Sequence, residues 1–315
     1  MMAKQSATGC GISAVLMWGL LALLGSSTTG IPAFQLLFIC FVISAGIMFF
    51  QRLLQKKPLL AKPELSLRSW LLGIVGLFGF HFCYFMALKL APAMEVSLIV
   101  YLWPLLLTVF VAQQGARLTA FIGGGIGFVG IALLILSKDN AEAANSDFSI
   151  AEQTLGYVLA FSCAGIWSGY SWYLSKVPGK VEDIGWLSLA VAGFSLLAHL
   201  TLEPVNWQLS ANEWLGALLL GLGPVGGAFY LWDIGMKRGN QTLLASFSFA
   251  APLITAISLV IAGVSDWSLE ILIALGLVML GAGIANRKGK LQEKQDSVQE
   301  SAQERKQENG EVESV

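Results

Sequence analysis

Leu71-Leu72-Gly73-Ile74-Val75-Gly76-Leu77-Phe78-Gly79 opens a stretch, running to Pro104, that decides the fold, because the chain carries it twice. Displaced by 148 positions without a gap, Leu71-Leu72-Gly73 falls on Leu219-Leu220-Gly221, Gly79 on Gly227, Tyr84 on Trp232, Lys89 on Lys237 and Pro104 on Pro252. The flanks agree after small changes of offset: Ser13 and Trp18 match Ser162 and Trp167, and Gly125 and Gly130 match Gly276 and Gly281.

The repeated text is apolar. Apolar residues make up 56% of the 315 and charged ones 12%, against about a quarter charged in ordinary soluble domains, so water is not the main solvent. Residues 33–50, 118–137 and 243–264 carry no charged side chain, and ~20 apolar residues suffice to cross hydrocarbon. Division at charged, Pro-rich or Asn/Gly-rich breaks predicts ten spans, at 9–28, 32–54, 69–89, 93–112, 117–137, 154–175, 184–202, 213–236, 241–263 and 267–286. These runs are continuous, without the alternation of a membrane β-barrel, which leaves helices as the spanning structure.

The expected fold class is therefore an all-α polytopic membrane protein built from two five-helix repeats. The first repeat covers 1–137, a periplasmic loop follows at 138–153, the second repeat covers 154–286, and 287–315 form a cytoplasmic tail. From 292 onward the tail is rich in Gln, Glu and Lys, too polar to build a core. Five is odd, so the second repeat enters the membrane from the side opposite to the first. Inverted repeats of this kind exchange outward-open and inward-open states around a site near the midplane, which points to a transporter.

Lys and Arg stay on the cytoplasmic side during insertion. Placing the N-terminus inside puts Lys4, Arg52, Lys56, Lys57, Lys62, Arg68, Arg117, Lys176, Lys180, Lys237, Arg238, Arg287, Lys288 and Lys290 in the cytoplasm. Lys89 and Lys138 are then outside, with Asp139, Glu142, Asp147, Glu152, Glu203, Glu213, Asp266 and Glu270. Both termini are expected inside a bacterial inner membrane. The apolar run from Gly9 lacks a convincing small-residue cleavage signal and is read as a retained first helix.

Several function classes are excluded. A net charge of −1 with basic residues confined to short loops leaves no nucleic-acid footprint. Cys10, Cys40, Cys83 and Cys163 stand singly in apolar runs without His at ligand spacing, and read as small packers, so neither metal nor cofactor is expected. Residues 125–130 and 221–226 match GxGxxG but follow no soluble strand, so no nucleotide site is read there. No HExxH, paired Asp motif or GxSxG supports an intramembrane enzyme.

Tryptophans divide in two. Trp70, Trp186, Trp207, Trp214 and Trp267 fall at span ends, where an aromatic belt is expected. Trp18, Trp103, Trp167, Trp172 and Trp232 fall inside spans with Tyr84, Tyr101, Tyr170 and Tyr230. Buried hydroxyls and indole N–H groups seek partners, so these rings either line a cavity or pack helix against helix. The repeat-paired Trp18 with Trp167, and Tyr84 with Trp232, are the stronger candidates for lining.

Ionisable groups at membrane depth are His81, Glu95 and Asp233, candidates for substrate binding or proton coupling. Each has a plainer reading: His81 as a neutral hydrogen-bonding group, which is favoured, Glu95 as a first-turn acid on the helix dipole, and Asp233 as the i,i+4 partner of Lys237. Pro104 and Pro252 interrupt equivalent helices and are candidate hinges. The glycines at 123–130 and at Gly276, Gly281 and Gly283 offer small faces for close packing away from the substrate path.

In these residues the chain resembles the drug/metabolite transporter superfamily, in its EamA-type class of ten-helix carriers, from Gly9 to about Asn286. Ala93-Met94-Glu95-Val96 with Tyr101-Leu102-Trp103-Pro104, the Ile166-Trp167 helix, and Trp232-Asp233-Ile234-Gly235 through Gly239-Asn240 resemble aromatic amino acid exporters of the YddG type. Asp233 departs from that pattern, where a polar amide fits. The resemblance implies export of aromatic amino acids or related metabolites, a small-molecule substrate. No oligomer is read from the sequence, and a monomer in the bilayer is the working expectation. Aromatic rings would surround the substrate side chain while Glu95, His81 and polar backbone engage its ammonium or carboxylate. A multidrug or other metabolite carrier is the alternative on the same fold, and a membrane receptor that moves nothing is the remote one. Whether transport is facilitated or proton-coupled stays open.

Overall fold

The computed structural model describes residues 3–60, 63–136, 148–177, 179–263 and 267–285. Among them, all regular structure is helical: α1 (Lys4–Gly19), α2 (Leu21–Gly25), α3 (Ala33–Leu54), α4 (Leu67–Ile74), α5 (Phe80–Leu90), α6 (Ala93–Val100), α7 (Leu102–Val111) and α8 (Arg117–Leu136) in the first half. The second half carries α9 (Ile150–Leu174), α10 (Glu182–Leu202), α11 (Ala211–Leu222), α12 (Gly227–Arg238), α13 (Gln241–Phe247), α14 (Ala250–Ile261) and α15 (Leu269–Ala285). Lys62, Lys138, Asp139, Glu142, Asp147, Asp266 and the tail at 287–315 lie outside the described residues.

Each predicted span meets one helix or one interrupted helix. Ala33–Leu54, Leu67–Leu90, Glu182–Leu202 and Ala211–Arg238 are each long and apolar enough to cross a bilayer, and two bent pairs, α1 with α2 (45°) and α13 with α14 (44°), bring the number to six. The others are shorter apolar helices at Glu95–Val111, Arg117–Leu133 and Leu269–Ala285, together with the 25-residue α9. The starts are written locally. Ser149 with Glu152, and Ser210 with Glu213, form capping boxes ahead of α9 and α11, and the Asn240 side chain accepts from Leu243 N at the start of α13.

The two halves interleave, and their pairings exchange under the repeat. α1 packs on α12 while its counterpart α9 packs on α5; α1 meets α13 and α14 while α9 meets α6 and α7. Small residues permit both close crossings: a Cβ on Gly235 would lie 2.7 Å from Gly11 Cα, and the corresponding Ala87 and Ala160 are fully buried. The glycine-rich helices pack as expected, α8 against α15, where a Cβ on Gly123 would lie 2.5 Å from the Gly281 carbonyl.

α3 and α10 form the self-paired centre of this arrangement and are tied at three levels. At one end Arg52 meets Glu182 at 2.6 Å, with Lys57 2.5 Å from the same carboxylate. Midway, Ser44 and Ser188 share a 2.9 Å hydrogen bond between hydroxyls. At the other end the Glu203 carboxylate accepts from the backbone N–H groups of Phe34 (2.9 Å) and Gln35 (3.2 Å), capping α3 from across the interface. His199 donates through Nδ1 to the same carboxylate at 2.9 Å.

The third and eighth spans are broken at equivalent positions. Between α4 and α5 the chain adopts one π-helical turn, Val75–Gly79, and Phe80 N bonds Val75 O. Between α11 and α12, Ala228 N bonds Gly223 O, the same i to i−5 bond 148 positions later, and Val225 N bonds Leu220 O. Pro224 cannot donate, so there the helix opens fully. The fourth and ninth spans also break, at Tyr101 and at 248–249. Both breaks lie three or four residues before the prolines, so Pro104 and Pro252 stand in the first turn of the following helix, where a missing N–H costs little.

Candidate functional site

Four indoles from four spans meet where the halves cross. Trp18 (α1), Trp103 (α7), Trp167 (α9) and Trp232 (α12) touch with centroids 5.1 Å apart for Trp18 and Trp232, 5.6 Å for Trp18 and Trp167, and 6.2–6.3 Å for the Trp103 contacts. These are contact separations for aromatic pairs, so the rings offered as cavity lining pack on one another, with Trp103, Trp167 and Trp232 buried and Trp18 half-buried.

Their placement follows from the repeat. Trp18 and Trp167 occupy matching positions of α1 and α9, while Trp232 stands where the first half has Tyr84. Two of the four indole N–H groups have a specific acceptor. Trp18 Nε1 donates to the Pro224 carbonyl at 3.0 Å, which the broken eighth span leaves free. Trp232 Nε1 donates to Ser171 Oγ at 3.0 Å, and Ser168 Oγ donates to the Trp103 carbonyl at 2.9 Å.

A second layer of rings surrounds the indoles. Phe229 stacks on Phe41 (5.7 Å, 13°) and touches Trp18, Trp167 and His81. Phe80 bridges Trp167 to Tyr84. His81 lies among Phe41, Phe80, Phe85 and Phe229, with Nδ1 donating to Leu77 O at 2.6 Å, within the π-helical turn. This is the geometry of the neutral hydrogen-bonding reading. Tyr170 packs on Trp167 at 5.8 Å.

Other candidates stand apart. Tyr230 faces α3, its hydroxyl donating to Ser44 O at 2.6 Å. Tyr101 packs instead against the second cluster around Phe249, its repeat counterpart. Glu95 is exposed and accepts a hydrogen bond from the Tyr157 hydroxyl, far from the indoles in character as in exposure. Trp172 is 41% exposed, which puts it on the outer surface. Asp233 is fully buried, with Lys237 Nζ 2.8 Å from Oδ1, although neither carboxylate oxygen has a partner in hydrogen-bonding geometry.

Sequence reasoning passed over Phe229, Phe80 and Phe41, and the serines at 168 and 171. Phe229 lies three residues before Trp232 on one helix face, a spacing that could have revealed it. Among the described residues no group of His, Cys, Asp and Glu is arranged to hold a metal. What the site offers is a large buried aromatic surface with indole donors already turned toward main-chain and hydroxyl oxygens.

Comparison with known proteins bears on this arrangement. Residues 6–136 match the model of the EamA-like transporter family. The aromatic amino acid exporter YddG of Ancylobacter novellus is 41% identical over 292 residues, covering 90% of this chain and 98% of that protein. The exporters of the same name from Salmonella typhimurium and Escherichia coli are each 23% identical, covering 81% of this chain and 88% of theirs. A solved crystal structure 38% identical in sequence superposes with a TM-score of 0.80 over 92% of this chain and all of its own.

Proposed function

The chain belongs to the EamA-like transporter family, and we propose that it is an exporter of aromatic amino acids working by alternating access. The observation that carries this reading is the cluster of Trp18, Trp103, Trp167 and Trp232, two indoles from each half, in mutual contact, with Trp18 half-buried and the other three buried. An aromatic side chain entering here exchanges contacts with rings already present, and the indole donors of Trp18 and Trp232 supply polar edges.

The two repeats, 1–137 and 154–286, are the moving units in this reading. The family match over 6–136 supports the first as a unit, and the reciprocal pairings of α1 with α12 and α9 with α5 support the second as its inverted partner. The breaks before Pro104 and Pro252 are the hinges. Both termini lie in the cytoplasm, since the basic residues gather there. The protein acts as a monomer, with one aromatic centre shared by its own two halves.

Of the three candidates Glu95, His81 and Asp233, Asp233 is the one both buried and incompletely bonded, which makes it the candidate for coupling; Glu95 and His81 have local partners. Counterflow of labelled tryptophan, phenylalanine and tyrosine in proteoliposomes tests the function. Uptake above protein-free vesicles is expected for all three, and a signal for cationic drugs alone would replace the reading with a multidrug carrier.

A further inference from the structure

The Asp233 side chain is 0% exposed and Lys237 keeps only 9% of its own. A pair spaced i,i+4 is ordinary on a helix surface, but burying it is costly unless every oxygen is hydrogen-bonded. Here the ammonium stands 2.8 Å from Oδ1, yet both oxygens lack a hydrogen bond, and so does the buried Tyr170 hydroxyl. Ser171, next to Tyr170 on α9, accepts at 3.0 Å from the indole of Trp232, next to Asp233 on α12, so the two helices touch at these residues. Three polar atoms with unused capacity thus stand where α9 and α12 touch, with the Tyr170 ring packed on Trp167 at 5.8 Å.

The repeat isolates what is unusual. Lys237 has a counterpart in Lys89, but the position matching Asp233 is Phe85, part of the aromatic layer around His81. The acid is an addition made to one half only. Lys237 also has somewhere else to go. A Cβ on Gly179 would lie 2.5 Å from Lys237 Nζ and 3.2 Å from Asp183 Oδ2, so the ammonium and a second carboxylate converge over a residue with no side chain.

We propose that Lys237 occupies the place of the substrate's ammonium. In the substrate-free state its Nζ neutralises Asp233; when an aromatic amino acid enters, the α-ammonium binds between the Asp233 carboxylate and the Tyr170 hydroxyl, and Lys237 moves to Asp183. One cation replaces another, so no net charge is buried. The exchange makes the site selective for aromatic molecules that carry an ammonium group. This inference rests on the aromatic amino acid reading above.

The test uses the full-length protein in detergent and binding of tritiated L-tryptophan, competed by tryptamine, which keeps the ammonium and lacks the carboxylate, or by indole-3-propionate, which is the converse. The unaltered protein is expected to prefer tryptamine by roughly tenfold or more, the scale of one charge-assisted hydrogen bond. At mildly alkaline pH, Lys237→Met is expected to tighten tryptamine several-fold and leave indole-3-propionate unchanged. The charge-balanced pair Asp233→Asn with Lys237→Met, which buries no lone charge, is expected to bring the two competitors within about twofold of each other. Retention of the preference in that double variant, with tryptophan still bound, overturns the exchange site and leaves the exporter reading standing. Absence of tryptophan binding to the unaltered protein overturns both.

Discussion

The third and eighth spans carry the same interruption and resolve it differently. In the third, Val75–Gly79 takes one π-helical turn and the helix continues into α5. The carbonyl of Leu77 is taken by His81, four residues on. In the eighth, Pro224 prevents continuation, the helix parts between Leu222 and Gly227, and the Pro224 carbonyl is taken by Trp18, 206 positions earlier. One break is satisfied within its own helix and the other by a different span. The second half's break is thereby hydrogen-bonded to the indole centre, while the first half's meets it through ring packing, Phe80 on Trp167. Repeats fix where a helix yields; the polar partner decides what moves with it.

Equivalent glycines give the largest test. A Cβ on Gly227 would lie 2.0 Å from the Leu222 carbonyl, whereas on Gly79 the nearest atom is a Val75 methyl at 3.6 Å. Gly227→Ala is expected to destabilise by ~3 kcal/mol or more and Gly79→Ala by less than ~0.5 kcal/mol, read as thermal unfolding in detergent. Equal losses would mean that the two breaks are mechanically alike.

The indoles sharpen the same contrast. Trp18→Phe keeps a ring but strands a carbonyl, a cost of about 1–3 kcal/mol, and transport should fall by roughly tenfold. Trp167→Phe, at a position holding no such bond among the described residues, should stay within about threefold, consistent with losing packing alone.

The ends of the α3–α10 pair come next. Glu203, with 4% of its side chain exposed, caps two main-chain donors and accepts from His199. Glu182, 22% exposed, meets the half-exposed Lys57 and Arg52, whose guanidinium is held independently by the Pro58 carbonyl. Replacement by alanine is expected to cost ~2 kcal/mol at Glu203 and under ~1 kcal/mol at Glu182, again by thermal unfolding. The smallest effect belongs to the first half's acid: Glu95 is exposed and accepts from Tyr157, a role an amide oxygen also fills. Glu95→Gln should leave transport within about twofold, with or without a pH gradient. A larger loss would transfer the coupling role from Asp233 to Glu95.

Much of this architecture was legible in advance. Apolar runs located all ten spans because each needs a minimum length of hydrocarbon contact, and the offset of 148 located the crossing helices because equivalent residues repeat. The breaks were less legible. Pro104 and Pro252 drew attention, yet the chain parts three or four residues earlier, since a proline disrupts the turn that precedes it. Val75–Gly79 has no proline at all, and only its alignment with the segment containing Pro224 hints at a fault. Of the candidate site, the four tryptophans were readable as a class; Glu203 over Phe34 was not, because a cap 169 residues away leaves no local pattern. Glu95 and Tyr230 share the composition of site residues but point elsewhere, a matter of helix rotation that spacing alone does not fix.

The indole cluster also has an optical consequence. Chromophores whose centroids lie 5.1–6.3 Å apart, edge to face or tilted in a fixed chiral arrangement, share their excited states, so their near-ultraviolet circular dichroism belongs to the group rather than to single rings. Any step that separates the halves breaks that sharing. The protein therefore carries its own spectroscopic label at its moving centre, and opening can be followed without attaching one.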